Sequence, residues 1–186
     1  MKSAGIISLL VAAATAAPLQ TTVGQDLCCA INTLRAANNA PALLWSPDLD
    51  AVAQGHSDYM QAHTLLTNVQ DPDTPTYDLY GRLNTAKYAY ANATQQVSTG
   101  FSTPNESVGA WGMSQASKHN LINPLFTVCG GAVANPGAYY TSVLVLPQGN
   151  PTVYPLIFND SEEGSENSST EETPKDDQSP VRCPAH

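Results

Sequence analysis

Basic residues are scarce in this chain of 186. Seven Lys and Arg stand against 16 Asp and Glu, a net charge of −9 at pH 7, and no stretch gathers the positive charge into a patch. Binding to nucleic acid rests on such a patch, so that class of partner is excluded. Long apolar runs are missing too. Beyond the first 17 residues, nothing approaches the roughly 20 consecutive apolar residues of a membrane-spanning helix. No internal repeat is present. Aromatic residues are absent from 160–182, where Asp160, Glu162, Glu163, Glu166, Glu171, Glu172, Asp176 and Asp177 face only Lys175 and Arg182. So acidic a stretch, rich in Ser, Thr and Pro, cannot bury enough apolar surface to fold alone. Residues 159–186 therefore read as a disordered acidic tail, tethered near its end by Cys183.

The N-terminus has what the rest lacks. Lys2 precedes the apolar run of residues 6–14, and small residues follow through Ala17-Pro18. A basic start, a short apolar segment and a small-residue exit describe a secretory signal peptide over residues 1–17, too short to span a membrane. Secretion decides how the four cysteines read. In an oxidising compartment Cys28, Cys29, Cys129 and Cys183 point to two disulfides rather than a metal site. Adjacent Cys28 and Cys29 resist bonding each other, so each reaches for Cys129 or Cys183, in either order. Four N-x-[ST] sequons, at Asn92, Asn105, Asn159 and Asn167, fit a glycosylated extracellular protein.

Thr22-x-x-Gln25 is a capping box opening a helix with Leu27, Ile31 and Leu34 on one face. Ser46-Pro47-Asp48 supplies an N-cap, a proline at the first helical position and an acid at the positive helix end. The second helix then aligns Leu49, Val52, Ala53, His56 and Met60. Asp-Pro and Thr-Pro pairs make residues 69–81 a long loop. Thr103-Pro104-Asn105-Glu106 opens a third helix through Val108 and Trp111, in which Gly109 and Gly112 weaken the helix or allow a close backbone approach. Residues 127–134 and 139–146, joined by Asn135-Pro-Gly137, read as a β-hairpin whose second strand is buried on both faces.

Several stretches fall in a recognisable order: Ile31-Asn-x-Leu-Arg35, Pro41-Ala-Leu-Leu-Trp45-Ser-x-x-Leu49, Ala53-x-x-His56-x-x-x-Met60, Arg82-x-x-x-Ala86-x-Tyr88, Gly100-Phe101, Val108-x-x-Trp111-x-x-Ser114, Asn120-Leu-Ile-Asn-Pro124-x-Phe126-Thr127 and Tyr139-Tyr140. Together, over residues 25–146, they resemble the CAP superfamily of cysteine-rich secretory, antigen 5 and pathogenesis-related class 1 proteins. The resemblance implies an α+β fold, a three-layer α-β-α sandwich around a small, mainly antiparallel sheet, spanning residues 18–158. It also implies a central cavity with two histidines and two acids able to bind a divalent metal. Here the matching positions hold Asn68, Gln95 and Ser117, and Lys118 replaces the usual arginine. The family's metal site is therefore not carried over, and neither a metal nor another cofactor is expected.

Other residues invite sharper readings. Ser117 and His119 pair a nucleophile type with a base type, but residues two apart on a helix point about 200° apart. His56 and His63 lie seven apart on one helical face and could share a metal. The apolar neighbours of His56 favour a hydrogen-bonded core histidine instead. Tyr77, Tyr80, Tyr88 and Tyr90 gather around the long loop, where they either cover the core or line a lipid-binding groove. Three functions compete. The first is a non-enzymatic binder of sterols or fatty acids, and the second an extracellular or cell-wall interaction protein acting on a host or the cell surface. The third, a hydrolase, is disfavoured by the missing histidines and acid.

Overall fold

The computed structural model describes residues 22–135, 138–158 and 180–183. The expected signal peptide, Pro136 and Gly137 of the hairpin turn, and residues 159–179 of the acidic segment lie outside the described residues. The elements are α1 (Val23–Ala36), β1 (Leu44–Trp45), α2 (Pro47–His63), α3 (Leu79–Thr85), β2 (Tyr90–Ser98), α4 (Pro104–Met113), α5 (Gln115–Leu121), β3 (Val128–Ala134), β4 (Tyr139–Pro147), β5 (Leu156–Ile157) and β6 (Val181–Arg182). Four strands form one sheet in the order β1-β3-β4-β2. β3 pairs antiparallel with β4, and β4 with β2, while β1 joins β3 in parallel. This is the expected α-β-α sandwich with a mainly antiparallel sheet.

Local chemistry explains most boundaries. The Thr22 side chain accepts from Gln25 N at 3.2 Å and the Gln25 side chain accepts from Thr22 N at 2.7 Å, closing the capping box of α1. Thr103 caps α4 in the same position. Ser46 stands at the N-cap of α2 as its sequence suggests, yet its hydroxyl makes no capping bond and is buried without a hydrogen-bond partner. Pro47, with φ fixed by its ring, starts that helix instead. The long loop is shorter than expected at its far end. Asp78 accepts from Gly81 N at 2.7 Å, so α3 begins at Leu79.

The sheet's two faces carry separate cores. On one, Cys129, Tyr140 and Leu144 pack against Leu27, Ile31, Val108 and Trp111 of α1 and α4. On the other, Val128, Ala132, Val143 and Val145 pack against Leu49, Val52 and Ala53 of α2 and Leu83 of α3. β3 sits between them, and two glycines make that possible. A Cβ at Gly130 would stand 2.4–2.6 Å from Leu49 and the Asp50 nitrogen, and one at Gly131 would stand 2.6 Å from Leu27. Those two residues face opposite sides, so the helices of both layers touch the strand's backbone. Asp50 binds the layers together by accepting from Gly131 N at 2.8 Å and Trp45 Nε1 at 3.0 Å.

Arg35 is completely buried, and among the described residues no carboxylate pairs with it. It donates to the carbonyls of Pro41 (2.6 Å), Leu121 (2.7 Å), Asn123 (3.1 Å) and Phe126 (3.2 Å). One guanidinium thereby joins the end of α1 to the end of α5 and the approach to β3. Burying a charge is tolerated only when most of its donors are bonded in this way, here four of the guanidinium's five N–H groups.

Both disulfides form, and their pairing is now fixed: Cys28 with Cys129, and Cys29 with Cys183, at Cα separations of 6.0 and 5.6 Å. Successive helix residues point about 100° apart, so one cysteine of α1 faces the sheet and its neighbour faces away. The second bridge corrects the expected extent of disorder. Residues 180–183 are ordered: Val181 N donates to Pro155 O and Cys183 N to Ile157 O, each at 2.8 Å, pairing β6 in parallel with β5. The tether expected at Cys183 is a disulfide backed by two backbone bonds. No helix among the described residues is long and apolar enough to cross a membrane.

A glutamate-specific protease tests this closure. Glu106 is the only glutamate before the acidic segment, which holds Glu162, Glu163, Glu166, Glu171 and Glu172. Brief native digestion is expected to cut within that segment without releasing the C-terminal piece that contains Cys183. A C-terminal peptide should appear by mass spectrometry only after reduction. Its release from unreduced protein would show that Cys183 is not bridged to Cys29.

Candidate functional site

Thr64, in the left-handed conformation at φ 51°, stops α2 and turns the chain into the loop that leads to α3. The loop is pinned by Gln70 N donating to Tyr77 O at 2.7 Å. His56, completely buried on α2, is spoken for on both ring nitrogens. Nε2–H donates to Thr67 O at 2.8 Å, and Nδ1 accepts from Gln70 Nε2 at 3.3 Å. This neutral tautomer has its pKa lowered to about 4, first by burial and then by the charge of Arg82. The expected hydrogen-bonded core histidine is what the structure contains. His63 is exposed, stacks on Tyr59 with ring centroids 4.2 Å apart, and bonds to Tyr59 O, so the two histidines share no ligand position.

Two of the three altered cavity positions meet. The Gln95 side chain donates from Nε2 to Asn68 O at 2.7 Å and lies 3.3 Å from Asn68 Oδ1. Its Oε1 accepts from Arg82 Nη2. Arg82, from α3, is buried, and burial lowers its pKa to about 10 against the opposing pull of Asp78, so it keeps its charge at neutral pH. Ser117 is not joined to this chain of amides by any described hydrogen bond. Its N–H donates to Ser114 Oγ at 3.4 Å, because Ser114 ends α4 and caps the separate helix α5. His119, exposed on α5, has no described hydrogen bond to Ser117, which leaves the nucleophile–base pair unassembled.

This donor set does not suit a divalent metal. Amide groups take the place of imidazole and carboxylate, and a guanidinium stands beside them where a cation would have to sit. Among the described residues, no three His, Cys, Asp or Glu side chains converge. The sequence reading missed Arg82 as the centre of this cluster. Its only signal was an arginine inside Arg82-x-x-x-Ala86-x-Tyr88, flanked by residues that α3 buries.

The loop tyrosines divide. Tyr88 is 8% exposed and belongs to the core, so it is no groove residue: the chain after α3 turns it inward against Leu49 and Val52. Tyr77 and Tyr80 are exposed, and Tyr80 stacks on Tyr90 with centroids 5.7 Å apart. Open cavities lie elsewhere, and two of them have largely apolar walls. One, of about 300 Å³, is lined by Ala51, Val52, Gly55, Gln70, Thr76 and Arg82, with Thr85 and Ala86. The other, of about 470 Å³, runs between α1 and α4. None of the four tyrosines lines either. Of the sequons, Asn92 on β2 and Asn105 in the first turn of α4 are exposed, while Asn159 and Asn167 lie outside the described residues.

Residues 29–146, well over half of the chain, match the model of the cysteine-rich secretory protein family, CAP. The chain belongs to the CAP family. Solved structures agree on the fold of this CAP domain. An extracellular protein of Bacillus anthracis containing an SCP domain matches with 25% identity and a TM-score of 0.61, over 66% of this chain and 40% of its own. An outer surface protein of Borrelia burgdorferi matches with 18% identity and a TM-score of 0.59, over 66% of this chain and 90% of its own. A cysteine-rich secretory protein of Staphylococcus aureus matches with 19% identity and a TM-score of 0.54, over 69% of this chain and 40% of its own. The CAP domain thus spans about two fifths of the Bacillus and Staphylococcus proteins. No curated protein sequence matches.

Two outcomes follow from this geometry. Calorimetric titration of chelator-treated CAP domain with zinc is expected to show no stoichiometric uptake; tight one-to-one binding lost on His119→Ala would relocate the cavity. The second concerns pH. Asp50 has its pKa raised to about 6 by burial, so its contribution to stability is complete below the unfolded value of 3.8 and is lost as pH rises through 6. His56 works the other way. Its contribution is complete above 6.5 and is lost as pH falls through about 4. The two slopes oppose each other between pH 4 and 6. In thermal melts, Asp50→Asn should make stability climb with pH across that window, and His56→Gln should make it fall. Parallel profiles for the two variants would refute the assignment.

Proposed function

We propose that this chain is a secreted, non-enzymatic CAP domain that binds small hydrophobic ligands, such as fatty acids or sterols, in the groove between α1 and α4. The groove itself carries this reading. Ala30, Thr33 and Leu34 of α1, with Ala37 at its C-cap, face Val108, Gly109 and Gly112 of α4, with Asn105 at one end, around a space of about 470 Å³. Small-molecule sites are concave, largely apolar and of this order of size. Each 100 Å² of ligand surface removed from water there contributes about 2.5 kcal/mol.

The space exists because two helix positions carry no side chain. A Cβ at Gly112 would come to within 3.4 Å of Leu34, an ordinary contact, while one at Gly109 would meet nothing within 4 Å. No lining residue titrates near neutral pH, and the Thr33 hydroxyl is spent on Cys29 O at 3.2 Å. That favours binding over hydrolysis, since acid–base or nucleophilic chemistry needs such groups in reach of the ligand. Secretion is supported by the two disulfides and by the extracellular and outer-surface neighbours.

Gly109→Leu tests the groove directly. Leucine fills the open space and replaces a helical glycine, so the variant should be as stable as the wild type or up to about 1 kcal/mol more so. Its affinity for a fluorescent fatty acid or sterol should fall at least about tenfold, the equivalent of losing some 50–60 Å² of apolar contact. Unchanged affinity would remove the groove from consideration. Loss of binding instead in Tyr77→Ser with Tyr80→Ser would place the ligand on the loop. Absence of saturable lipid binding in the wild type would favour the extracellular or cell-wall interaction reading.

A further inference from the structure

The two buried arginines are treated differently by the fold. Arg35 gives four hydrogen bonds to fixed carbonyls. Arg82, 5% exposed, gives only two described ones, to Thr76 O at 3.3 Å and to Gln95 Oε1. A guanidinium has five N–H donors, so Arg82 retains three with no described acceptor. Among the described residues no carboxylate reaches ion-pair distance of it; Asp78 acts on it from farther away, and His56 beside it is neutral. A buried charge in this position is costly until an anion or further acceptors reach it.

Arg82 also lines the open cavity of about 300 Å³ between α2 and α3. Ala51, Val52, Gly55 and Ala86 give that cavity apolar walls, while Gln70 and Thr76 add polar edges beside the guanidinium. We propose that this cavity binds a small molecule with an apolar body and a single carboxylate, the carboxylate paired with the free N–H groups of Arg82. The guanidinium fork matches a carboxylate in two parallel hydrogen bonds, and the walls take up a short hydrocarbon or ring. The site is separate from the α1–α4 groove and does not rest on it. It also explains why Gln70 is held in place: bonded to His56 Nδ1 at 3.3 Å, it borders the cavity without filling it.

Hexanoate and its neutral counterpart hexanamide are the probes, with the mature wild-type protein and ¹⁵N NMR of the Arg82 side chain and the His56 ring. Hexanoate is expected to shift the Arg82 Nε–H signal and to bind roughly tenfold or more tightly than hexanamide, the scale of a charge-assisted pair. Saturation should raise the His56 pKa, because the carboxylate offsets the charge that holds it down. Gly55→Leu is the decisive variant, since a Cβ there meets nothing within 4 Å and the position is helical. It should stay folded and lose hexanoate binding, while Gly109→Leu keeps it. Equal binding of amide and acid, no hexanoate binding by the wild type, or binding retained by Gly55→Leu would each overturn the proposal. Loss in Gly109→Leu alone would do so as well, assigning the acid to the other groove.

Discussion

Everything in this fold depends on how thin β3 is. A strand packed on both faces must keep two helical layers close enough to share one sheet, and side chains at its centre would hold them apart. Gly130 and Gly131 remove that barrier on opposite faces, so Leu49 and Leu27 lie against the backbone itself. The contacts that follow are secured by polar groups rather than by further apolar volume. Asp50 bonds to the amide of Gly131, and Arg35 ties α1 to the chain entering β3. Close approach of backbones leaves little room for solvent, so each of those polar groups has to be satisfied by protein.

The same logic explains what was legible in the sequence. The capping box at Thr22 and the β-branched run at 139–146 are local signals, and both became the elements they announce. α3 was hidden because its cap, Asp78, lies in a stretch whose Asp-Pro and Thr-Pro pairs speak for a loop, and the helix has only seven residues. β2 was hidden because an edge strand need not alternate cleanly: Asn92, Thr94, Gln95 and Gln96 mask the apolar positions Ala93 and Val97. The disulfide order could not be read at all. It depends on how α1 is rotated over the sheet, which is a tertiary fact. The altered positions Asn68 and Gln95 were found through the family pattern, but their bond to each other and to Arg82 needed the structure.

That bond shows how a site can be replaced rather than simply emptied. Imidazole and carboxylate give way to two amides, which can bond to one another, and a cation closes the chain. Such a network offers a divalent cation neutral amides and a neighbouring positive charge in place of imidazole and carboxylate. It also moves the region's unmet hydrogen-bonding capacity sideways, from the middle of the domain to the cavity under α3. Meanwhile the apolar groove between α1 and α4 depends on glycines on the opposite layer. The two sides of the sheet thus carry cavities of different chemistry.

The neighbouring cysteines of α1 have a consequence for biosynthesis. As the chain emerges, Cys129 becomes accessible to two adjacent thiols well before Cys183 exists. With an oxidant of the compartment, such as another disulfide, taking up the two electrons, either thiol can capture it first, and only one choice lets α1 settle on β3. The wrong bridge leaves the correct thiol free beside it, one residue away, to attack and replace it. The adjacent pair thus carries its own means of correction, and the arrival of Cys183 then occupies the remaining thiol and brings the exchange to an end.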